Sequence, residues 1–495
     1  MTATTAKMRY WCDMAMECVR RDHTPGISSG DQRGPFLSAR AMGMALAALN
    51  DAIAIVQSRP TLLGITPPPG LATVGVVNAD LAGAAACAQV MRLRYPNQAN
   101  LLEPAWLHWL EYFNLGAASG PVEMLGRAFG TLVHQKGAND PIDAAVDQYT
   151  PVAGPYNHIV PPSDPMQHYA GGKWGTASRL ASVRDPGFPF PPGRVSPTVV
   201  NPTPHFAADF AKVAAKGEND RDPTVPGSRT LPEEVTGVAW GYDGPPELGT
   251  PPRLYMQVIL TILDAIEART PGKLSANDEL AIIAGAGIAM ADAGIDAWHY
   301  KYAPSHMMWR PAVGIPNAVP GNGVADPDFV PLGRPDTNGS GTRLTPNFPA
   351  YPSGHATFGA AAFQLLRLFL VEKGAATFDP NGLDDVSFDF VSDEFNGRNK
   401  DPKTMQPRDH LTLPYPNLWR AITDNSVSRL YLGVHWQFDG ITKRNAADTA
   451  DEFGIPDFPN QLGRTGGVWL GAKIANQIAL KLGVTAATIA ASKIS

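Results

Sequence analysis

The chain of 495 residues sets 40 Lys and Arg against 46 Asp and Glu, a formal net charge of −6, with 44% hydrophobic and 17% charged residues. These values place it among soluble globular proteins and leave no broad basic surface for nucleic acid, so any cationic site must be local. Three cysteines, Cys12, Cys18 and Cys87, are too sparse for a disulfide framework and lack zinc-site spacing; they read as reduced, buried thiols.

From Met1 to His23 the apolar residues are interrupted by Lys7, Arg9, Asp13, Glu17, Arg20 and Arg21. No signal-peptide core is present there, and a cytoplasmic location is the default expectation. Apolar residues at helical spacing predict helices over Leu37–Val56, Ala79–Leu93, Leu102–Phe113, Val122–Val133, Tyr255–Ala268 and Leu280–Trp298. Ser275, with Asp278 three residues on, predicts a capping box at the start of the last of these, whose far end delivers Trp298 and Lys301. The connections Asp185–Pro204, Asn219–Arg253 and Val313–Pro352 are too proline-dense for helix and lack strand alternation. Long loops of this kind in a compact enzyme usually build the site. No uncharged apolar run reaches the roughly 18 residues of a membrane helix. The best candidate, His355–Val371, contains Gln364 and Arg367, so no membrane span is expected. The expected fold is all-α, a large helical bundle, two packed four-helix bundles with long Pro/Gly-rich loops. A division near residue 215 would separate a motif-free helical half, 1–215, from a half carrying the chemistry, 216–495, unless the two form one continuous domain.

Three segments of the second half carry chemistry. The first, Trp298-His-Tyr-Lys301 followed by Trp309-Arg310-Pro311, brings two cations at a helix end, with Pro311 expected to stop the helix. The second, Phe348-Pro-Ala-Tyr-Pro-Ser353-Gly354-His355, runs straight into a strong helix former. Ser353 and Gly354 therefore sit at a helix N-terminus, where unpaired N–H groups and the helix dipole make an anion cradle. The third, Ser428-Arg429 through His435 to Asp439, adds a third cation and a second histidine, which Asp439 can hold in one tautomer. A lysine, two arginines, a hydroxyl, a backbone amide and two histidines are what a tetrahedral oxyanion with two or three charges requires.

In this order the segments resemble the signature of the vanadium-dependent haloperoxidases and of the acid and lipid phosphatases that share their site. The last two match without gaps. In the first, Lys301 and Arg310 stand nine positions apart, one or two more than the family's usual separation. The length of the chain, its helical first half and the roughly 70 residues between His355 and Arg429 favour haloperoxidases over small phosphatases. Trp240 to Gly244, Gly249 to Tyr255, Asp292-Ala-Gly294 and Phe348 to Gly359 are similar to fungal-type chloroperoxidases, over roughly residues 238–445.

The resemblance implies a vanadate cofactor with His435 as the single protein ligand to vanadium. Lys301, Arg310, Ser353, Gly354, His355 and Arg429 would complete the cofactor site, with His355 as acid and base toward hydrogen peroxide and Lys301 also catalytic. Asp439 would support His435, and Asp243 would support Arg429. Trp298 and Phe348 would wall a halide pocket. The implied activity is oxidation of halide, bromide before chloride, by hydrogen peroxide to hypohalous acid, which then meets a small organic acceptor. The alternative is an acid phosphatase with His435 as nucleophile. A homo-oligomer is the default expectation. His306, between the two cations of the first segment, reads as a loop histidine bonded to backbone.

Overall fold

The computed structural model describes residues 3–116, 119–162, 164–196, 199–220, 222, 224, 226–339 and 345–494. Parts of the three Pro/Gly-rich connections, positions 197–198, 221, 223, 225 and 340–344, therefore lie outside the described residues. The helices of the first half are α1 (Ala3–Asp22), α2 (Pro35–Val56), α3 (Ala79–Arg94), α4 (Ala99–Tyr112), α5 (Ser119–Gln135), the single turn α6 (Asp143–Val146) and α7 (Pro204–Gly217). There follow α8 (Leu231–Ala239), α9 (Pro251–Arg269), α10 (Ala276–Tyr302), the single turn α11 (Pro311–Gly314), α12 (Gly354–Glu372) and α13 (Leu418–Tyr431). The single turn α14 (Gln437–Gly440), α15 (Gly467–Lys481) and α16 (Ala486–Ala491) complete the order. Named strands among the described residues form two antiparallel ribbons, Phe388–Phe390 with Leu413–Tyr415 and Lys443–Arg444 with Asp451–Glu452. The fold is all-α.

All six predicted helices are present, several of them longer than their apolar pattern. Pro35 opens α2 and Pro251 opens α9, at the position where a missing N–H costs nothing. The Ser275–Asp278 capping box closes the start of α10 as expected. Two expectations are corrected. The connection Asn219–Arg253 contains α8, because Pro232 falls in its first turn and Thr230 with Glu233 forms a second capping box. Pro311 opens the turn α11 rather than ending a helix; the helix before it stops at Tyr302, where Ala303 takes an extended backbone. The charges along α1 break its apolar pattern, yet Arg9 is buried against Glu279 and Asp264, so that charge packs inside with its partners.

Packing is organised around α10. Helix α2 lies along one side of it and α12 along another, with α15 against α12, α3 against α2 and α5 against α3. Small residues let these axes approach: a Cβ on Gly43 would stand 2.5 Å from the Gly287 carbonyl oxygen, and one on Gly471 would stand 2.2 Å from that of Thr357. The apolar core runs unbroken from Met8 in α1 to Ile494 after α16.

By length and composition three helices are long and apolar enough to cross a bilayer, α2, α10 and α12. Their apolar windows are 94%, 100% and 94% buried inside the protein, so no span is implied. A helix that is apolar all round and enclosed by other helices belongs to the centre of a large core.

The Gly43–Gly287 approach leaves no room for a side chain. Gly43→Val is expected to lower unfolding stability by about 1–3 kcal/mol, the usual cost of overpacking. Chemical denaturation measures this, and unchanged stability would mean that α2 and α10 are not in close contact.

Candidate active site

Four helix ends meet at the site. The last turn of α10 carries Trp298 and Lys301, the first turn of α12 carries Gly354 and His355, the last turn of α13 carries Arg429, and His435 precedes α14. Ser353 is the N-cap of α12: its Oγ accepts the Ala356 N–H at 3.4 Å, while its own N–H donates to the Asp439 carbonyl at 2.7 Å. That bond ties the α12 cradle to the His435 segment. A narrow pocket between them is lined by Trp298, Phe348, Gly354, His355, Arg429 and His435, with Asp243 and Phe358 also on its wall.

Lys301, Arg310 and Arg429 are all buried to within 1% of complete enclosure. Lys301 Nζ donates to the carbonyls of Pro349 at 2.7 Å and Ala350 at 3.1 Å, and sits 5.1 Å from the Phe348 ring centre and 5.5 Å from that of Trp298. Burial, with Arg310 adding to it, pushes its ammonium well below the usual lysine range. Arg310 donates to the Phe348 carbonyl at 2.8 Å, the Val434 carbonyl at 2.7 Å and His435 Nε2 at 2.9 Å. Burial lowers its guanidinium to about 9, against the pull of Asp439. Arg429 pairs with Asp243. Burial works against the Asp243 carboxylate, but Arg429, His355 and Arg334 outweigh it and hold it below its usual range.

These cations keep donors in reserve. Arg310 Nη2, Arg429 Nε and Nη1, and His355 Nε2 are buried with no hydrogen-bond partner among the described residues. Each such group carries a desolvation cost of about 1–3 kcal/mol, more when charged, unless a ligand answers it.

The two histidines differ in their anchoring. His435 Nδ1 lies 2.9 Å from Asp439 Oδ2, which also accepts the Trp436 N–H at 2.9 Å. An imidazole donating Nδ1–H to a carboxylate presents the Nε2 lone pair, here toward Arg310. Burial first, then Arg310, Lys301 and Arg429, holds His435 neutral. His355 Nδ1 stands 3.8 Å from Asp243 Oδ1. Burial and Arg429 drive its imidazole down to about 3, with Asp243 opposing them. The expectation that it titrates near neutrality therefore does not hold for the protein alone, and a bound anion works in the raising direction.

All the residues expected at the site lie at it or directly behind it. The longer spacing before Arg310 is taken up in a turn where the N–H groups of His306 and Met307 both donate to the Ala303 carbonyl at 2.9 Å. His306 Nε2 meets the Phe188 carbonyl at 2.9 Å, the backbone-bonded loop histidine anticipated. Sequence reading missed several positioning groups. Tyr255 and Asn425 both donate to the His355 carbonyl, at 3.0 and 2.9 Å, and Asp209 accepts the N–H groups of Gln437 and Phe438 at 2.8 and 2.9 Å. Asp209 comes from α7, more than 200 residues before the loop it holds, and a lone acid in an amphipathic helix gives no signal of such a task. Pro35, from the N-terminus of α2, also lines the pocket.

Residues 281–453 match the model of the VCPO second helical-bundle domain. The chain is 28% identical to a vanadium chloroperoxidase of Curvularia inaequalis, over 95% of this chain and 88% of that protein. Among solved structures it is similar in fold to the first bacterial vanadium-dependent iodoperoxidase, with a TM-score of 0.60, 17% identity and 97% of each chain covered. It is likewise similar to a holo-type bacterial vanadium-dependent chloroperoxidase, with a TM-score of 0.61, 14% identity and 96% of each chain covered.

If Asp439 sets the His435 tautomer, Asp439→Asn is expected to weaken orthovanadate binding about 10–100-fold, the usual effect of removing such a partner. Equilibrium titration of the purified protein measures it, and an unchanged affinity would remove Asp439 from the account. The buried cations, the N-terminal cradle of α12 and the fixed tautomer of His435 accompany a domain match over residues 281–453 and a near full-length similarity to a vanadium chloroperoxidase.

Proposed function

We propose that the protein is a vanadate-dependent haloperoxidase, which converts halide, hydrogen peroxide and a proton to hypohalous acid and water. The observation that carries this reading is the set of unanswered donors on Arg310 and Arg429 around the pocket, beside the unpartnered Nε2 of His355. A tetrahedral oxyanion fits them, since its oxygens are acceptors and its charge offsets the buried cations.

His435 Nε2 would hold the metal, with Lys301, Arg310, Arg429, Ser353 and the Gly354 amide around the oxygens. Bound vanadate supplies a Lewis-acidic centre that activates hydrogen peroxide without changing its own oxidation state. Asp439 keeps the His435 proton on Nδ1, so the donor lone pair stays available. Its carboxyl is pushed up by burial against the pull of Lys301, yet Oδ2 remains the acceptor of two N–H groups.

His355 is the group placed to move protons. Its Nε2 has no protein partner among the described residues, while the opposite nitrogen faces Asp243. Neutral His355 can accept a proton from peroxide at Nε2, and Asp243 then steadies the imidazolium. Asp243 is itself held ionised by Arg429 and Arg334, so it keeps that capacity. Phe348, Trp298 and Phe358 line the approach with aromatic surface that favours a weakly hydrated halide; bromide is the preferred substrate in this reading, and a small organic molecule is the final acceptor.

Apo-protein supplied with bromide and hydrogen peroxide is expected to brominate a phenolic dye only after orthovanadate is added, with inorganic phosphate as a competitor. His435→Ala should reduce the rate at least about 100-fold. Inertness of the reconstituted enzyme, together with turnover of a phosphate monoester by the vanadate-free protein, would replace this reading with the phosphatase one.

A further inference from the structure

Outside the narrow pocket lies a larger cavity of about 430 Å³, which shares Pro35, Asp243, Pro346 and Phe348 with it. As a vestibule adjoining the narrow pocket, it has a size within the roughly 300–1,000 Å³ that enclose small organic ligands. Two guanidinium groups line it, Arg33 from the segment before α2 and Arg334 from the long connection before α12.

Among the described residues neither arginine forms an ion pair with a carboxylate, although Arg334 acts on Asp243 through its charge. Arg334 Nη1 donates to the Asp243 backbone carbonyl at 2.6 Å, and its other donors remain available. Arg33 is exposed and has no hydrogen bond or ion pair with any described residue. The acids on the same walls are engaged elsewhere. Asp31 accepts the Asn97 backbone and side-chain N–H groups at 3.0 and 2.6 Å, Asp147 accepts the Gly171 N–H at 2.8 Å, and Asp243 pairs with Arg429. His23 lines the same cavity; its Nε2 accepts the Gly34 N–H at 3.1 Å, which fixes the backbone beside Arg33. Burial holds His23 below its usual range, and the charges of Arg33 and Arg334 add to that effect.

Phe36 and Phe348 line this vestibule, and Trp298 of the narrow pocket packs against both. Phe36 stands 4.9 Å from Trp298, and Trp298 stands 4.7 Å from Phe348, centre to centre. A forked, planar cation recognises a carboxylate in two-point fashion, and aromatic side chains accept a flat ring.

We propose that the vestibule binds the organic acceptor, and that this acceptor is a phenolic carboxylate. Its carboxylate lies on Arg33 and Arg334, and its ring lies against Phe348 at the mouth of the pocket. The acceptor role rests on the haloperoxidase reading; the organic-anion site stands on its own residues. In the transfer, an electron pair of the ring carbon takes halogen from hypohalous acid, the O–halogen bond breaks, and the ring loses its proton. The products are a halogenated phenolic acid and water.

The test is equilibrium binding of 4-hydroxybenzoate and of its neutral methyl ester to the full chain at fixed ionic strength, with Arg33→Glu and Arg334→Lys as variants. The acid is expected to bind at least about tenfold more tightly than the ester, equivalent to ~1.4 kcal/mol, and Arg33→Glu is expected to abolish that margin. Equal binding of acid and ester, or an Arg33→Glu protein that binds like the parent, overturns the proposal. Triiodide formation from iodide, which needs no organic acceptor, separates the two readings. Acid binding without triiodide keeps the anion site and removes the haloperoxidase reading, whereas triiodide without acid binding overturns the vestibule alone.

Discussion

Three cations buried together, with hydrogen-bond donors left over, are the constraint around which the rest of this molecule is arranged. Taking even one charge out of water costs several kcal/mol after relaxation. Lys301, Arg310 and Arg429 are enclosed within one small region, where Asp243 and Asp439 are the carboxyl groups that face them among the described residues, and burial pushes that of Asp439 up. The carboxylates orient rather than quench: Asp243 holds one edge of Arg429, and Asp439 is occupied by His435 and the Trp436 N–H. The remaining deficit is of the kind a multiply charged oxyanion makes good, and vanadate and phosphate are equivalent in that respect. What distinguishes the two uses is which proton moves and what the surrounding walls admit.

Such a cluster needs a scaffold that cannot relax away from it. Helix α10 provides one, since it is enclosed along its length and carries Lys301 at its end. The glycine contacts with α2 and the packing against α12 fix where that end lies relative to the α12 N-terminus. The Ser353 N–H to Asp439 carbonyl bond and the Asp209 clamp on Gln437 and Phe438 then register the His435 segment against both. Geometry of this kind is set by the bonds made directly behind the groups that face the ligand.

The chemistry was more legible than its support. Arg310, Ser353, Gly354, His355, Arg429 and His435 stood out because each lies in a short segment whose residue types serve one purpose. Helices with a clean apolar period were also visible, and so was the Ser275 capping box. The helix α8 was hidden because proline was read as a breaker, although in a first turn it is tolerated. Helix α1 was hidden because its buried Arg9 finds partners more than 250 residues away, which no local pattern contains. The same holds for Asp209 and Arg33: their roles depend on what the fold places opposite them. Burial of α2, α10 and α12 was likewise invisible, since by composition a helix enclosed in protein and one enclosed in lipid look alike.

The central claim is that the protein alone carries an unmet demand for a tetrahedral oxyanion, and its thermal stability tests this most directly. A ligand that binds the folded chain and not the unfolded one stabilises it by about 2.7 kcal/mol at a hundred times its dissociation constant. Orthovanadate is expected to raise the melting temperature of the apo-protein in a saturable manner, and halide at matched ionic strength is not. A melting temperature indifferent to orthovanadate at every concentration would contradict it, because the buried donors of Arg310 and Arg429 would then be satisfied without an anion.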